Sequence, residues 1–520
     1  MLLTFIIFIP LLGAALLAFL PRSNDRLIRD TALATALLDL LLCLPLLCLF
    51  DYNAEGFDES LAESHAWVPS LGVGYLLDID GLALVLVVLT CLLSFVSVLC
   101  SFRAITDRVK EYYFLLLLLQ TGILGTFLAS DLFLFFVFWE LMLVPMYFLI
   151  GVWGHERRIY ASIKFFLYTA FGSALMMIAI LWVYFAAWNA TGTPSFALER
   201  FYEMSFSVTA QRWLFAAFFL AFAIKMPLFP FHTWLPYAHT EAPTAGSVIL
   251  AGVLLKTGVY GFLRFALPMF PDGAAFFAPA IMILALIGIV YGALTAMAQT
   301  DVKRLVAYSS VSHIGMLVAG ILAFNVEGIS GGMIQMLNHG LSTGGLFLIV
   351  GIIYERRQTR EVSEFGGLAA IMPVYATYFS ILMLSSIGLP GLNGFIGEFL
   401  ILLGLMGKSI LCAAIAATGV ILGACYMLWV YQKMMFGPVR VEANKGLSDL
   451  NAREILTLLP LVLFCFWIGL NPRPLQKTIE PSARNIVRIM AEHQTQPSWT
   501  DRWPGTASAE SVPQDPDHSR

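Results

Sequence analysis

WLFAAFFLAFAIKMPLFPF, residues 213–231, decides how this chain can fold. The run is apolar enough for a bilayer, yet Lys225 stands inside it and Pro227 and Pro230 follow at once. Proline removes an amide donor and clashes with the preceding turn, so a helix must end or bend here. Irregular backbone at membrane depth survives only where protein or a wet cavity satisfies the freed groups. Two further runs, LFLFFVFWELMLVPMYFLI (132–150) and SVILAGVLLKTGVYGFLRF (247–265), carry Glu140 and Lys256 in the same way. At 1.5 Å rise per residue, each ionisable group falls roughly 14 to 20 Å from the nearer polar boundaries, near the middle of a hydrocarbon core about 30 Å thick. A charge there costs ~2.5 to 3.5 kcal/mol on insertion scales, and chains keep such residues mainly where they face a bundle interior or an ion pathway.

The 520-residue chain as a whole is apolar, with 59% hydrophobic and 12% charged residues, which exceeds what a soluble domain carries. A net charge of −4 and the lack of a basic aromatic stretch argue against nucleic acid. Residues 1–20 have no basic segment before them and are followed by Arg22, Arg26 and Arg29, which fits an uncleaved first helix better than a signal peptide. The seven cysteines lie inside apolar runs with no CxxC spacing or Cys/His pairing, so no metal, Fe–S cluster or other redox centre is expected on this polypeptide.

Charged or Pro/Gly-rich separators divide the sequence into about 14 spanning segments, which predicts an all-α polytopic membrane protein. Lys and Arg concentrate in the loops after odd-numbered segments, among them Arg103, Arg108, Lys110, Arg157 and Arg158, whereas the even-numbered loops hold only Arg200, Arg212, Arg264 and Lys408. The positive-inside rule then puts the basic loops in the cytoplasm and both termini outside. Residues 51–79, acidic and without Lys or Arg, become an outside loop. Asp39, Asp78 and Asp80 read as near-interface residues with weak functional signal.

The twelfth segment (373–406) is broken like the seventh, by Gly388, Pro390, Gly391, Gly394 and Gly397 ahead of Glu398. Interrupted segments in corresponding positions of two halves are the best sequence pointer to a transporter site. The correspondence divides the chain into three N-terminal helices (1–111), two five-helix repeats (112–267 and 268–436), and a last helix with a polar tail (437–520). Five is odd, so the second repeat enters the membrane inverted relative to the first. From about residue 490 the tail is rich in Pro, Ser, Gln and Asp and reads as poorly ordered.

His313 and His339 lie about 14 to 18 Å along their own apolar segments, again at mid-membrane depth. Imidazole can pass a proton because one nitrogen donates while the other accepts. A histidine inside a helix bundle serves equally well as a packing hydrogen bonder, and Glu140 and Glu398 can pair structurally. His232 and His239, in PFHTWLPYAHTEAP, have a spacing that fits no usual metal site and line the edge of the break. In order, Glu140, Lys225, Lys256, His313, His339 and Glu398 supply titratable groups from one repeat to the other.

KMPLFPFHTWLPYAHTEAPTAGSVILAGVLLKTGVYG (225–261), DVKRLVAYSSVSHIGM (301–316), MLNHGLSTGGLF (336–347) and SSIGLPGLNGFIGEF (385–399) together resemble the antiporter-like membrane subunits of respiratory complex I and the related multisubunit Mrp cation/proton antiporters. The likeness runs over about residues 75–470. Glutamate at 398, where the sister subunits carry lysine, favours the complex I side; an Mrp-type Na⁺/H⁺ antiporter subunit is the alternative. The resemblance implies a fourteen-helix subunit with a Glu140–Lys225 pair, a central Lys256, a histidine-lined connection and Glu398 near the exit. It further implies a bacterial inner-membrane complex with two sister antiporter-like subunits as neighbours and an indirect link to a peripheral arm. FMN, Fe–S clusters and quinone would belong to other subunits, and both termini of this chain would lie on the periplasmic side.

Overall fold

A computed structural model of the chain describes residues 1–495. Among the described residues, thirteen helices are long and apolar enough to cross a membrane. The remaining expected crossing is split into Pro373–Ser386 and Asn393–Met406, and at 14 residues each neither half spans alone. The chain is thus a mostly α-helical polytopic membrane protein. Its crossings alternate between a basic face, which holds the loops around Arg22, Arg108 and Arg157, and an opposite face, which holds residues 50–80.

Thr244–Met269 and Val326–Arg357 form the centre of the bundle: their most apolar windows are wholly buried, against 39% of that in Leu2–Phe19 and 33% in Ile410–Met435. Small residues allow this packing, with Gly252 and Gly340 of the two central helices meeting backbone to backbone. Thr244–Met269 is not a uniform helix. Two π-helical turns, Leu250–Leu254 and Phe262–Ala266, flank the α-helical segment Leu255–Gly261 that carries Lys256. Such turns are rare and concentrate at functional sites.

Both breaks fall where the prolines and glycines put them. Val208–Lys225 stops at Lys225, and after the Met226–Pro230 turn the chain resumes as a 3₁₀ turn, Phe231–Trp234, and the helix Leu235–Glu241. The Trp234 indole donates to the Ile224 carbonyl at 2.9 Å and satisfies one group freed by the break. At the second break, the Asn338 amide donates to the Asn393 carbonyl at 2.8 Å and the Ser385 hydroxyl to Asn393 Oδ1 at 2.5 Å.

Several expectations are corrected. Arg264 is no loop residue: it is buried inside Thr244–Met269 and pairs with buried Asp80 at 2.5 Å, so the Asp80 carboxylate, not solvent, balances its charge. Asp39 is likewise no interface residue, being fully buried against Gln120 and Cys91. Residues 51–79 are more than a loop, since Glu63–Val68 and Val73–Leu77 form an antiparallel hairpin that pairs Glu63 with Leu77 and His65 with Tyr75. The chain after the last crossing forms a 21-residue amphipathic helix, Arg473–His493, which lies across the ends of the central helices on the hairpin face. Met490–His493 are therefore helical, and the poorly ordered tail expected beyond them lies, from residue 496, outside the described residues.

Candidate functional site

The fully buried Lys256 stands between the two π turns. Its Nζ donates to the carbonyl of Ala251 and lies 2.7 Å from His339 Nδ1 on Val326–Arg357. An ammonium in that contact requires Nδ1 to accept, which places the ring proton of neutral His339 on Nε2. Nε2 is buried and has no hydrogen-bond partner among the described residues.

The next group is His313, on Val302–Ile321, whose ring centroid lies 5.7 Å from that of His339. His313 Nδ1 is in turn 3.9 Å from Glu398 Oε1. That is too long for a direct hydrogen bond. A small cavity of about 10 Å³ lined by Ser312, His313, Ser386 and Glu398 adjoins the gap, room for about one water. Lys256, His339, His313 and Glu398, which come from four helices, are thus arrayed in one line that leads from the first repeat into the second.

Glu398 is positioned by the break itself. Gly388 has φ +70°, and a Cβ there would fall on the Glu398 carboxylate, so the carboxylate lies over bare backbone. Gly391, three residues on, has φ +92° and open space around it. Alanine at either position carries left-handed strain of ~1 to 3 kcal/mol, whereas only Gly388→Ala also displaces the carboxylate. Gly388→Ala is thus expected to slow proton transport severalfold more than Gly391→Ala, measured as acid release by assembled complexes in vesicles. Equal effects would mean that strain alone matters there.

The first half of the site is more open. Lys225 Nζ sits over the Trp139 ring at 5.0 Å and the Phe165 ring at 5.9 Å. Glu140, next to Trp139, is near enough to act on Lys225 electrostatically, but its buried Oε1 has no hydrogen-bond partner among the described residues. The expected pair is brought together without closing into a bridge. Lys225 and Lys256 are joined mechanically through Gly258, where a Cβ would meet the Met226 amide at 2.8 Å and Lys225 Cβ at 3.1 Å. The helix bearing Lys256 thus rests directly on the first break.

Sequence reasoning missed several supporting groups. Lys303 is buried and donates to the Ala242 carbonyl at 2.6 Å and the Thr240 carbonyl at 3.5 Å, closing the C-terminal end of the first broken helix. It read as one more basic loop residue because its first-turn position hides its inward reach. Asn393 lay inside a quoted motif, but its role depends on Asn338, 55 residues away. His239 stacks on Phe347 at 4.5 Å, and His232 on Phe229 at 5.5 Å. Among the described residues no group of three or more His, Cys, Asp or Glu is placed to hold a metal ion.

Comparison with known proteins gives a consistent result. Residues 129–423 match the family model described as NADH:quinone oxidoreductase/Mrp antiporter, TM. A Rickettsia typhi protein named NADH-quinone oxidoreductase subunit M is 44% identical over 439 residues, 84% of this chain and 88% of that protein. Among solved structures, a chain of respiratory complex I from Thermus thermophilus with bound NADH superposes with a TM-score of 0.85 at 35% identity, covering 94% of this chain and 100% of that one. A chain of the Mrp complex from Dietzia sp. DQ12-45-1b gives a TM-score of 0.80 at 22% identity, over 95% and 99% of the two chains, a likeness of fold alone.

Proposed function

The chain belongs to the NADH:quinone oxidoreductase/Mrp antiporter transmembrane family, and from that premise we propose that it is the antiporter-like, proton-translocating membrane subunit of an NADH:quinone oxidoreductase. It contributes to a translocase and carries out no redox chemistry itself: electrons pass from NADH to quinone on other subunits, which hold the FMN and Fe–S clusters. Its neighbours are two sister antiporter-like subunits in a bacterial inner membrane, with both termini on the periplasmic side and the basic loops in the cytoplasm. An Mrp-type antiporter subunit is the less supported reading, because identity to the Mrp chain is 22% against 44% to the Rickettsia typhi protein.

The observation that carries the proposal is the line Lys256–His339–His313–Glu398. A change in a neighbouring subunit shifts the Glu140–Lys225 interaction, and Lys225 in turn alters the hold of Lys256 on its proton. Repulsion between two buried ammonium groups at intermediate dielectric reaches about a few kcal/mol. That is the size of the ~2.3 kcal/mol needed to move one charge against 100 mV. The Lys256 ammonium gives its proton to His339 Nδ1, the imidazolium releases the Nε2 proton toward His313, and His313 passes it from Nδ1 to Glu398 for release. His339 is then left in the other tautomer and must turn or reprotonate before the next transit.

Two inverted five-helix repeats also belong to this proposal. Asp131 and Asp301 both cap the second helix of their block, with backbone amides donating to the carboxylate at 2.7 to 3.1 Å. Each also forms an isolated antiparallel bridge to the segment after the third helix, Asp131 with Ala197 and Asp301 with Glu361. These matching devices lie on opposite faces, as inversion requires.

The test is to purify the native assembly. NADH oxidation together with flavin and Fe–S absorbance is the expected result, and Na⁺/H⁺ exchange by a redox-free assembly would establish the antiporter reading instead.

A further inference from the structure

The proposed relay leaves one mid-membrane carboxyl unused. Asp39 lies 14 residues into the helix Asp25–Cys43, about 21 Å from the basic face at 1.5 Å per residue. It is fully buried where this helix packs against Gly81–Ala104 and Val109–Leu128. Its partners are neutral: Gln120 Nε2 at 2.5 Å and Cys91 Sγ at 3.4 Å, both on Oδ2, with Cys43 one turn further along its own helix. Oδ1 has no hydrogen-bond partner among the described residues. An ionised carboxylate in such surroundings lacks both a countercharge and the donors that would replace its hydration. A neutral acid fits the geometry instead.

Below Asp39 a stripe of polar side chains runs toward the basic face. Cys91, Ser94, Ser97 and Ser101 recur at helical spacing on one side of Gly81–Ala104. The Ser94 and Ser97 hydroxyls and Gln120 Oε1 are all buried without hydrogen-bond partners among the described residues. Asp25–Cys43, which packs on this helix, buries the small Ala32 and Ala36. Lower down, Ser101 and Tyr112 share a hydrogen bond of 2.9 Å, and Tyr112 meets Trp153 edge to face at 5.3 Å. Trp153, together with Thr106, Asp107, Arg108 and Arg158, lines a pocket of about 610 Å³ open at the basic face. Buried polar groups in this number rarely go unpaired in proteins, and water is their usual partner.

We propose that Asp39 is a proton-bearing carboxylic acid at the inner end of a hydrated column, reached from the basic face through Ser101, Ser97 and Ser94. The ligand of this site is a proton delivered by water, and the column lies on the seam between the N-terminal three helices and the first helix of the first five-helix block, Val109–Leu128. The site stands on its own geometry and not on the relay; Gln120 brings it within one helix of Glu140, because Val109–Leu128 also packs through Gly125 on Phe138.

Infrared spectroscopy of the assembled complex in lipid tests the proposal. The protonated-carboxyl stretch is expected to lose one component in Asp39→Asn and to shift it in Asp39→Glu, which keeps the acid and serves should the asparagine variant fail to assemble. Transfer to D₂O is expected to move that component promptly in the wild type, and roughly tenfold more slowly in the double variant Ser94→Val, Ser97→Val. Spectra unchanged by both Asp39 substitutions would show an ionised carboxylate and overturn the proton-bearing site. An exchange rate unchanged by the valine pair would overturn the column.

Discussion

Replacing Lys256 with methionine is expected to abolish most proton export by the assembled complex, and with it most coupled quinone reduction. The side chain is fully buried, bonded to Ala251 and 2.7 Å from His339, so no other group on the line can take its place as donor. Lys256→Arg should also impair export, by about tenfold or more, an added barrier of at least ~1.4 kcal/mol. Guanidinium keeps its charge throughout the physiological range and cannot release its proton to His339. Acid release by reconstituted complexes, measured together with subunit content, checks both variants. An arginine variant that pumps like wild type would make Lys256 a fixed charge and leave the line without its donor.

Glu140→Gln is expected to lower coupled turnover by about tenfold, ~1.4 kcal/mol, while the complex still assembles. The amide keeps the shape of the side chain but removes the charge that acts on Lys225, the ammonium resting on the rings of Trp139 and Phe165. Those rings offer a cation–π contact but carry no charge of their own, so the carboxylate is the charged group near the lysine that the substitution removes. Because no bridge is closed here, the loss should appear in turnover more than in stability, whereas breaking a closed buried pair would destabilise by ~3 to 5 kcal/mol. Turnover and thermal denaturation of the same preparation separate the two outcomes; normal coupled turnover would remove Glu140 from the mechanism.

Much of the architecture was legible because membrane physics narrows the choices. Lys225 with its prolines and Glu398 with its glycines could be read as breaks, since nothing but a satisfied cavity tolerates such chain at that depth. Contacts between distant segments were not legible. The approach of Lys256 to His339, 83 positions apart in sequence, depends on π turns that no residue pattern announces. The pairing of Arg264 with Asp80 was hidden for the same reason: Arg264 near the end of an apolar run looks like a loop charge until its partner is placed. Asp39 looked peripheral because depth was judged from its own segment, whereas Gln120 and Cys91 come from two others. The helix Arg473–His493 was missed because a helix lying across the bundle needs neither the length nor the unbroken apolarity of a crossing.

Protons are expected to pass from the first repeat into the second along Lys256, His339, His313 and Glu398. Glutamine at both histidines preserves hydrogen bonding across the helices but cannot carry a proton as imidazole does. The most direct measurement is proton export per NADH oxidised by liposome-reconstituted complex bearing His313→Gln with His339→Gln. The expected result is intact assembly with proton export reduced about tenfold or more. Export at the wild-type rate and ratio would contradict it, because the line would then be interrupted at its middle without consequence.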